Sequence, residues 1–142
     1  MSPPATVIDT NVFIAAAFSP ASDSARLLDA VSGGRVRLVW DRPTRRETEA
    51  LMRRIPRISW EDVRQLFVEA ERWSGRVAPE RFTSVADPDD RKFAALASSS
   101  GATLVTLDRH LLRAGLGDSC RVVTPGEFLR SFSGTDAGST CP

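Results

Sequence analysis

Four acidic residues of this chain could together bind a metal ion, because each lies where an apolar strand stops or on the core side of a helix: Asp9, Glu47, Asp90 and Asp108. Asp9 directly follows residues 5–8 (ATVI), which read as a short buried strand. Asp108 follows a second apolar run, residues 102–107, in the same way. Open α/β sheets bind ligands at the carboxyl ends of their strands, so both carboxylates are predicted at such an edge.

The other two acids are predicted on the core-facing sides of helices. At about 100° per residue, Glu47 shares a face with Leu51 and Ile55, whereas Glu49 points roughly the opposite way. Asp90 lines up with apolar residues three, four and seven positions later. Both carboxylates are therefore predicted to turn toward the protein interior.

Helix capping is the alternative explanation for each acid. Asp9 and Asp108 could be N-caps of the helices they precede, residues 44–47 (TRRE) match a capping box, and Asp90 could follow an Asp87 cap. Capping does not explain why the helical acids fall on apolar faces, where an ionised carboxylate is costly. A divalent cation would compensate them, and oxygen ligands without Cys favour Mg²⁺ or Mn²⁺ over Zn²⁺.

Length and composition indicate one domain with a single core. The chain has 142 residues, of which 42% are hydrophobic, and it carries 19 basic against 18 acidic residues. The charge balance thus neither favours nor excludes nucleic acid. The single histidine, His110, follows Asp108 in a turn and is predicted at the surface. Residues 1–132 are predicted to form the domain, and residues 133–142, which lack apolar periodicity, a disordered tail.

Cellular location is predicted from cysteine usage and hydropathy. Cys120 falls in a predicted strand and Cys141 in the tail, so the pair does not make a disulfide framework and a reducing cytoplasm is expected. The longest apolar run near the amino terminus, residues 12–18, is too short for a membrane span and lacks preceding basic residues. No membrane partner is expected.

Arginines crowd one segment of the chain: Arg42, Arg45, Arg46, Arg53, Arg54 and Arg57. Guanidinium groups bind phosphate with two parallel hydrogen bonds, so this segment is a candidate surface for a nucleic-acid backbone. A solvated helix face is the alternative.

Apolar runs alternate with helical patterns along the chain. Strands are predicted at residues 5–8, 36–40, 103–107 and 121–123, and helices at residues 12–18, 24–31, 44–55, 59–73, 87–98, 111–114 and from 124 onward. Residues 77–85 are a proline-broken connector with room for one short strand. This α/β alternation predicts a parallel sheet covered on both faces.

Four motifs in this order resemble those of PIN-domain ribonucleases: residues 7–12 (VIDTNV), the inward Glu47, residues 87–97 (DPDDRKFAALA) and residues 104–108 (LVTLD). The resemblance covers roughly residues 5–132. It implies a three-layer α/β/α sandwich with a central parallel sheet. By carry-over, Asp9, Glu47, Asp90 and Asp108 would hold one or two Mg²⁺ or Mn²⁺ ions, while Thr10, Asn11 and Thr106 would steady the acids or the bound water.

The resemblance also implies a function, the metal-dependent endonucleolytic hydrolysis of single-stranded or looped RNA. Candidate RNA contacts are then Arg45, Arg46, Arg53 and Arg54. Many small bacterial members are toxins of the VapC type, often dimeric and silenced by an antitoxin protein. One departure is residues 41–43 (DRP), since members commonly have a small hydroxyl residue where the second strand enters the next helix.

Other protein classes also place acids at strand ends. A haloacid-dehalogenase-like phosphatase needs a second aspartate two residues after the first, where this chain has Asn11, and a receiver domain needs a lysine after a late strand, which is absent. A non-catalytic PIN-fold module that binds RNA or protein is the stronger alternative. Such a module is expected to have lost an acid, and none of the four is missing.

Overall fold

The computed structural model describes residues 2–140, with side chains described for residues 2–132. Its four strands are β1 (Ala5–Ile8), β2 (Arg37–Leu38), β3 (Thr103–Val105) and β4 (Val122–Val123). They form one parallel sheet in the order β2-β1-β3-β4. β1 and β3 are neighbours at the centre of the sheet. The residues that directly follow their carboxyl ends therefore lie close to each other.

Within residues 2–140, six α-helices flank the sheet: α1 (Thr10–Phe18), α2 (Asp23–Ser32), α3 (Arg42–Arg53), α4 (Arg91–Ser100), α5 (Arg109–Leu112) and α6 (Pro125–Thr140). Successive strand residues face opposite sides of a sheet. Ile8 and Val105 accordingly pack with residues of α1, α2, α3 and α6, whereas Val7 and Leu104 pack with α4 and α5. The predicted three-layer α/β/α sandwich with a parallel sheet is confirmed.

The helix that carries Glu47 begins two residues earlier than the sequence pattern predicts. The Asp41 carboxylate accepts from the Thr44 backbone N–H at 3.1 Å, and the Thr44 hydroxyl accepts from the Asp41 N–H at 3.1 Å. This reciprocal capping box, followed by Arg42 and Pro43 in the first turn, starts α3. The alternative of a capping box at residues 44–47 is therefore wrong. Asp41, the first of the three residues that depart from the PIN-domain pattern, is itself the N-cap.

The long amphipathic helix predicted for residues 59–73 is also wrong. Three short 3₁₀ helices stand there, Trp60–Asp62, Arg64–Leu66 and Glu69–Glu71. The buried residues Trp60, Val63 and Leu66 recur every three positions, which is the 3₁₀ period rather than the α period. After the third of these helices the backbone becomes extended, and the Trp73 N–H donates to the Trp40 carbonyl at 2.7 Å.

Smaller corrections concern the segments before and around Asp90. Residues 77–85 hold a 3₁₀ turn, Pro79–Arg81, rather than a strand, and the helix predicted for residues 87–98 splits into a 3₁₀ turn, Pro88–Asp90, and α4. The domain boundary at residue 132 and the disordered tail stay predictions, because side chains after that point, and Cys141, lie outside the described residues. No helix within residues 2–140 is long and apolar enough to cross a membrane.

Candidate active site

Asp9 is fixed at the carboxyl end of the central strand. Its side chain is 4% exposed, and its backbone N–H continues the sheet by donating to the Val105 carbonyl at 3.0 Å. One carboxylate oxygen accepts from the Thr10 N–H at 2.8 Å and the other from the Thr106 hydroxyl at 2.7 Å. Asp9 thus caps α1, as the capping interpretation predicted, while both of its oxygens retain lone pairs for a cation.

Asp108 is connected to Asp9 through Thr106. The Thr106 hydroxyl accepts from the Asp108 N–H at 3.0 Å while it donates to Asp9. One Asp108 oxygen caps α5 by accepting from the His110 N–H at 2.8 Å, and His110 itself is exposed, as predicted. The Asn11 side-chain carbonyl accepts from the Leu107 N–H at 3.2 Å, so it braces the turn between β3 and α5.

Glu47 faces the site from α3, but the helical phase differs from the sequence interpretation. The fully buried stripe of α3 is Thr44, Thr48 and Met52, and Thr48 is hydrogen-bonded to the Thr10 hydroxyl at 2.8 Å. Glu47 lies beside this stripe with 18% of its side chain exposed, paired with the ammonium of Lys92. Glu49 binds Arg53 on the exposed side of the helix at 2.8 Å.

Asp90 ends the 3₁₀ turn that leads into α4. The Asp87 carboxylate caps that turn by accepting from the Asp89 N–H at 3.0 Å, whereas the Asp90 side chain makes no capping hydrogen bond. Asp90 therefore follows an Asp87 cap as the third residue of the turn, as the capping interpretation predicted, but its own carboxylate makes no capping hydrogen bond. Its backbone N–H donates to the Asp87 carbonyl at 3.0 Å, which holds the turn closed and leaves the carboxylate available to a ligand.

Burial raises the pKa of Asp9 from 3.8 to about 6. The hydrogen bonds from Thr106 and Thr10 oppose the rise, and the nearby negative charges of Glu47 and Asp108 add to it. A carboxylate in this environment is poorly compensated by the protein alone.

Burial also raises the pKa of Asp90, to about 7. Like-charge repulsion adds to this rise, and the carboxylates responsible are, in order, Asp9, Asp87, Asp108 and Glu47. The four acids predicted from the sequence are therefore close enough to influence one another's ionisation. Within residues 2–132, the one cation in ion-pair contact with any of the four is Lys92.

The donor chemistry fits a hard divalent cation, because the four side chains offer only oxygen ligands. In the described residues, however, no group of three or more Asp, Glu, His or Cys side chains is arranged tightly enough to hold an ion as it stands.

A groove of about 760 Å³ opens between α3 and the turn before α4, and we call it the acid groove. It is lined by Arg42, Pro43, Arg46, Glu47, Ala50, Leu51, Arg54, Asp87, Asp89, Asp90 and Lys92. Asp9 and Asp108 are not among the lining residues and lie at the strand ends behind it.

The four arginines predicted to contact RNA divide into two pairs. Arg46 and Arg54 line the acid groove, and neither forms an ion pair within residues 2–132. Arg53 is bound to Glu49 on the exposed side of α3. The Arg45 guanidinium lies 5.6 Å from the ring centres of both Trp40 and Trp60, with its Nε buried. Arg53 and Arg45 are therefore engaged in contacts within the protein itself.

Sequence reasoning missed two residues of this site. Lys92 was not considered as a partner of Glu47, although it is the only lysine in the chain and lies two positions after Asp90. Thr48 was not considered either, although its position four residues after Thr44 marks the buried stripe that ties α3 to α1.

Comparison with known proteins gives one family and one solved structure. The PIN domain matches residues 5–110 of this chain, and no curated protein matches it. The crystal structure of PAE2754 from Pyrobaculum aerophilum superposes with a TM-score of 0.58, covering 94% of this chain and 99% of that one at 18% sequence identity. At that identity the likeness supports the fold alone, whereas the domain match spans most of the chain and all four acids. The chain belongs to the PIN-domain family.

Proposed function

We propose that the protein is a metal-dependent endoribonuclease that hydrolyses phosphodiester bonds of single-stranded or looped RNA. The observation that carries this proposal is the concentration of under-compensated carboxylates from two strand ends, from α3 and from the turn before α4, among which burial and mutual repulsion raise the pKa of Asp9 and Asp90. PIN domains are generally nucleases, which agrees with this chemistry. The complete set of four acids argues against the alternative, a non-catalytic module that binds RNA or protein.

Asp9, Asp90 and Asp108 would hold Mg²⁺ or Mn²⁺, with Glu47 as a further ligand or as the group that orients the attacking water. When bound, the ion supplies Lewis-acid chemistry: it promotes ionisation of water and offsets negative charge on the phosphodiester. Thr106 keeps the Asp9 carboxylate in place through its 2.7 Å hydrogen bond, and its acceptance of the Asp108 N–H couples the two strand ends.

The remaining groups of the site bind and orient the substrate. Arg46 and Arg54 line the acid groove without acid partners within residues 2–132, so they can bind RNA phosphates next to the acids. Lys92 pairs with Glu47 and also lines the acid groove, so its ammonium would be a further cation for a phosphate of bound RNA. The groove itself contains no aromatic side chain, so within it recognition is of the RNA backbone.

The direct test compares two glutamates on one helix. Glu47→Gln removes a charge from the site, and we expect RNA cleavage to slow at least about 100-fold, the scale of losing one catalytic group. Glu49→Gln alters only the exposed pair with Arg53, and cleavage should stay near the parent rate. Because Asp41 and Thr44 provide the cap of α3, neither change disturbs the start of the helix. Equal cleavage by the two variants would remove Glu47 from the proposed site.

We further propose that the enzyme is the toxin of a toxin–antitoxin pair in the cytoplasm, with a cognate antitoxin and a homodimer as its protein contacts. The resemblance to PIN-domain ribonucleases supports this role, because many small bacterial members are toxins of the VapC type. The experiment is induced expression of the protein with and without the product of the adjacent reading frame. Growth arrest that requires Asp9 and is relieved by the neighbouring protein would support the toxin role, and unimpaired growth would contradict it.

A further inference from the structure

A second depression, about 580 Å³ in volume, adjoins the acid groove. The depression and the acid groove are both lined by Arg42, Pro43 and Lys92. An RNA strand that leaves the acids on this side would therefore enter the depression directly. Trp73 and the loop after it, residues 74–75, also line the depression. It therefore combines an aromatic ring with cationic side chains next to the proposed catalytic acids.

Trp73 is held firmly at this place by its backbone. Its N–H donates to the Trp40 carbonyl at 2.7 Å, and the neighbouring Arg72 pairs in parallel with Trp40 just beyond β2. The indole packs partly against the core beneath α4. A ring anchored in this way loses little freedom when a second planar group stacks on it.

The indole N–H of Trp73 lacks an acceptor. It is buried and unpaired among the described residues, whereas the indole N–H of Trp40 donates to the Val68 carbonyl at 2.8 Å. Buried unpaired donors are rare in folded proteins and call for an explanation. Gly75 covers this edge of the ring so closely that a Cβ there would lie 2.6 Å from Trp73 Cζ2 and 3.0 Å from Nε1. A side chain at residue 75 would therefore collide with the ring unless the ring or the loop shifted.

The charges around the depression suit a polyanion. Arg42, Arg72 and Lys92 contribute to its lining, and the one acid among the lining residues, Asp41, is engaged as the cap of α3. Arg72 pairs with Glu69 at 3.3 Å and Lys92 pairs with Glu47, so within residues 2–132 Arg42 is the cation of the lining that forms no ion pair. An aromatic ring flanked by cations is the combination with which proteins bind single-stranded nucleic acid, because every base has a face to stack and every nucleotide a phosphate to pair.

We propose that this depression is a base-binding subsite: a nucleobase of single-stranded RNA next to the scissile phosphate stacks on Trp73, and Arg42 binds the adjoining phosphate. The subsite rests on the proposed function for its substrate class, yet binding is measurable without cleavage.

The experiment measures binding of a fluorescein-labelled short oligoadenylate in EDTA, by anisotropy and by quenching of tryptophan fluorescence. Trp73→Leu should weaken binding at least about 10-fold, the loss expected for one stacked base, and should remove most of the quenching. Trp73→Phe should retain most of the affinity. The matched control is Phe18→Leu, at an aromatic side chain that is 52% exposed on α1 away from the depression, and it should bind like the parent.

The RNA supplies an independent arm. Oligonucleotides with an abasic nucleotide moved along the strand should identify one position at which the parent loses about 10-fold in affinity and Trp73→Leu loses almost nothing further. Equal affinities of parent and Trp73→Leu, or no binding and no quenching by the intact oligoadenylate, would overturn the subsite.

A folding control keeps the test decisive. If urea unfolding shows that Trp73→Leu is unfolded, the abasic series with the parent protein and the variant Gly75→Ala decide instead. The added methyl group must displace the indole edge and should weaken binding, so unchanged affinity of Gly75→Ala would contradict the proposal. RNA binding that depends on Trp73, without metal-dependent cleavage, would support the subsite and contradict the nuclease proposal. Metal-dependent cleavage without Trp73-dependent binding would support the nuclease proposal and contradict the subsite.

Discussion

Replacing Asp9 by asparagine should stabilise the metal-free protein above neutral pH. The folded-state pKa of Asp9 is raised from 3.8 to about 6, chiefly by burial. Neutral Asp9 therefore contributes stability that is fully present below about pH 3.8 and is lost as the pH rises through about 6. A shift of about two pKa units corresponds to about 3 kcal/mol of unfolding free energy. Asparagine resembles the protonated carboxyl at every pH, so the variant escapes this loss.

Urea unfolding in EDTA at several pH values, followed by tryptophan fluorescence, measures the effect. Parent and Asp9→Asn should have similar stability near about pH 4, and the variant should be more stable by about 3 kcal/mol near about pH 8. The exposed Asp118→Asn serves as the control and should follow the parent. Adding Mn²⁺ at the higher pH should stabilise the parent more than the variant, because the ion binds only the folded acids. Parallel pH profiles of parent and Asp9→Asn would refute the electrostatic account of this site.

Two further predictions concern the cations of the acid groove. Lys92→Met should lower the unfolding free energy in EDTA by about 1–3 kcal/mol, because it leaves Glu47 unpaired among like charges. The same variant should bind Mn²⁺ more tightly in calorimetry, because the ammonium no longer competes for Glu47. Unchanged stability and unchanged Mn²⁺ affinity would show that the pair has no energetic role. Arg46→Gln should weaken RNA binding and lower the salt-dependence slope by about 0.7, whereas Arg53→Gln, which breaks the exposed pair with Glu49, should leave that slope as it is.

The residues that the sequence predicted correctly are those whose placement depends on local pattern. Asp9 follows a four-residue apolar run, and a carboxylate at that point must emerge at the carboxyl end of a strand. The same reasoning places Asp108 after β3, and the alternation of Val7 and Ile8 between two cores follows from the two-residue period of a strand. The match with the PIN domain confirms the family that the motif order indicated.

What the sequence did not predict depends on contacts between distant segments. The α-helical interpretation of residues 59–73 failed because apolar spacings of three and four are compatible with an α-helix as well as with a series of 3₁₀ turns. The choice between them depends on the packing of Phe67 against Trp60 and Trp40. Lys92 meets Glu47 across 45 positions of sequence, which no local pattern records. The roles of the four acids stay predictions until they are measured.

Dependence of RNA cleavage on a divalent cation tests the central claim most directly. A single-stranded RNA should be cut by the parent protein in Mg²⁺ or Mn²⁺, cutting should stop when EDTA is added in excess, and it should resume when Mn²⁺ is restored above the chelator. Asp90→Asn, which removes a carboxylate whose pKa is raised to about 7 by burial and by its acidic neighbours, should cut at least about 100-fold more slowly under the same conditions. Undiminished cutting by the parent in excess EDTA would contradict the account.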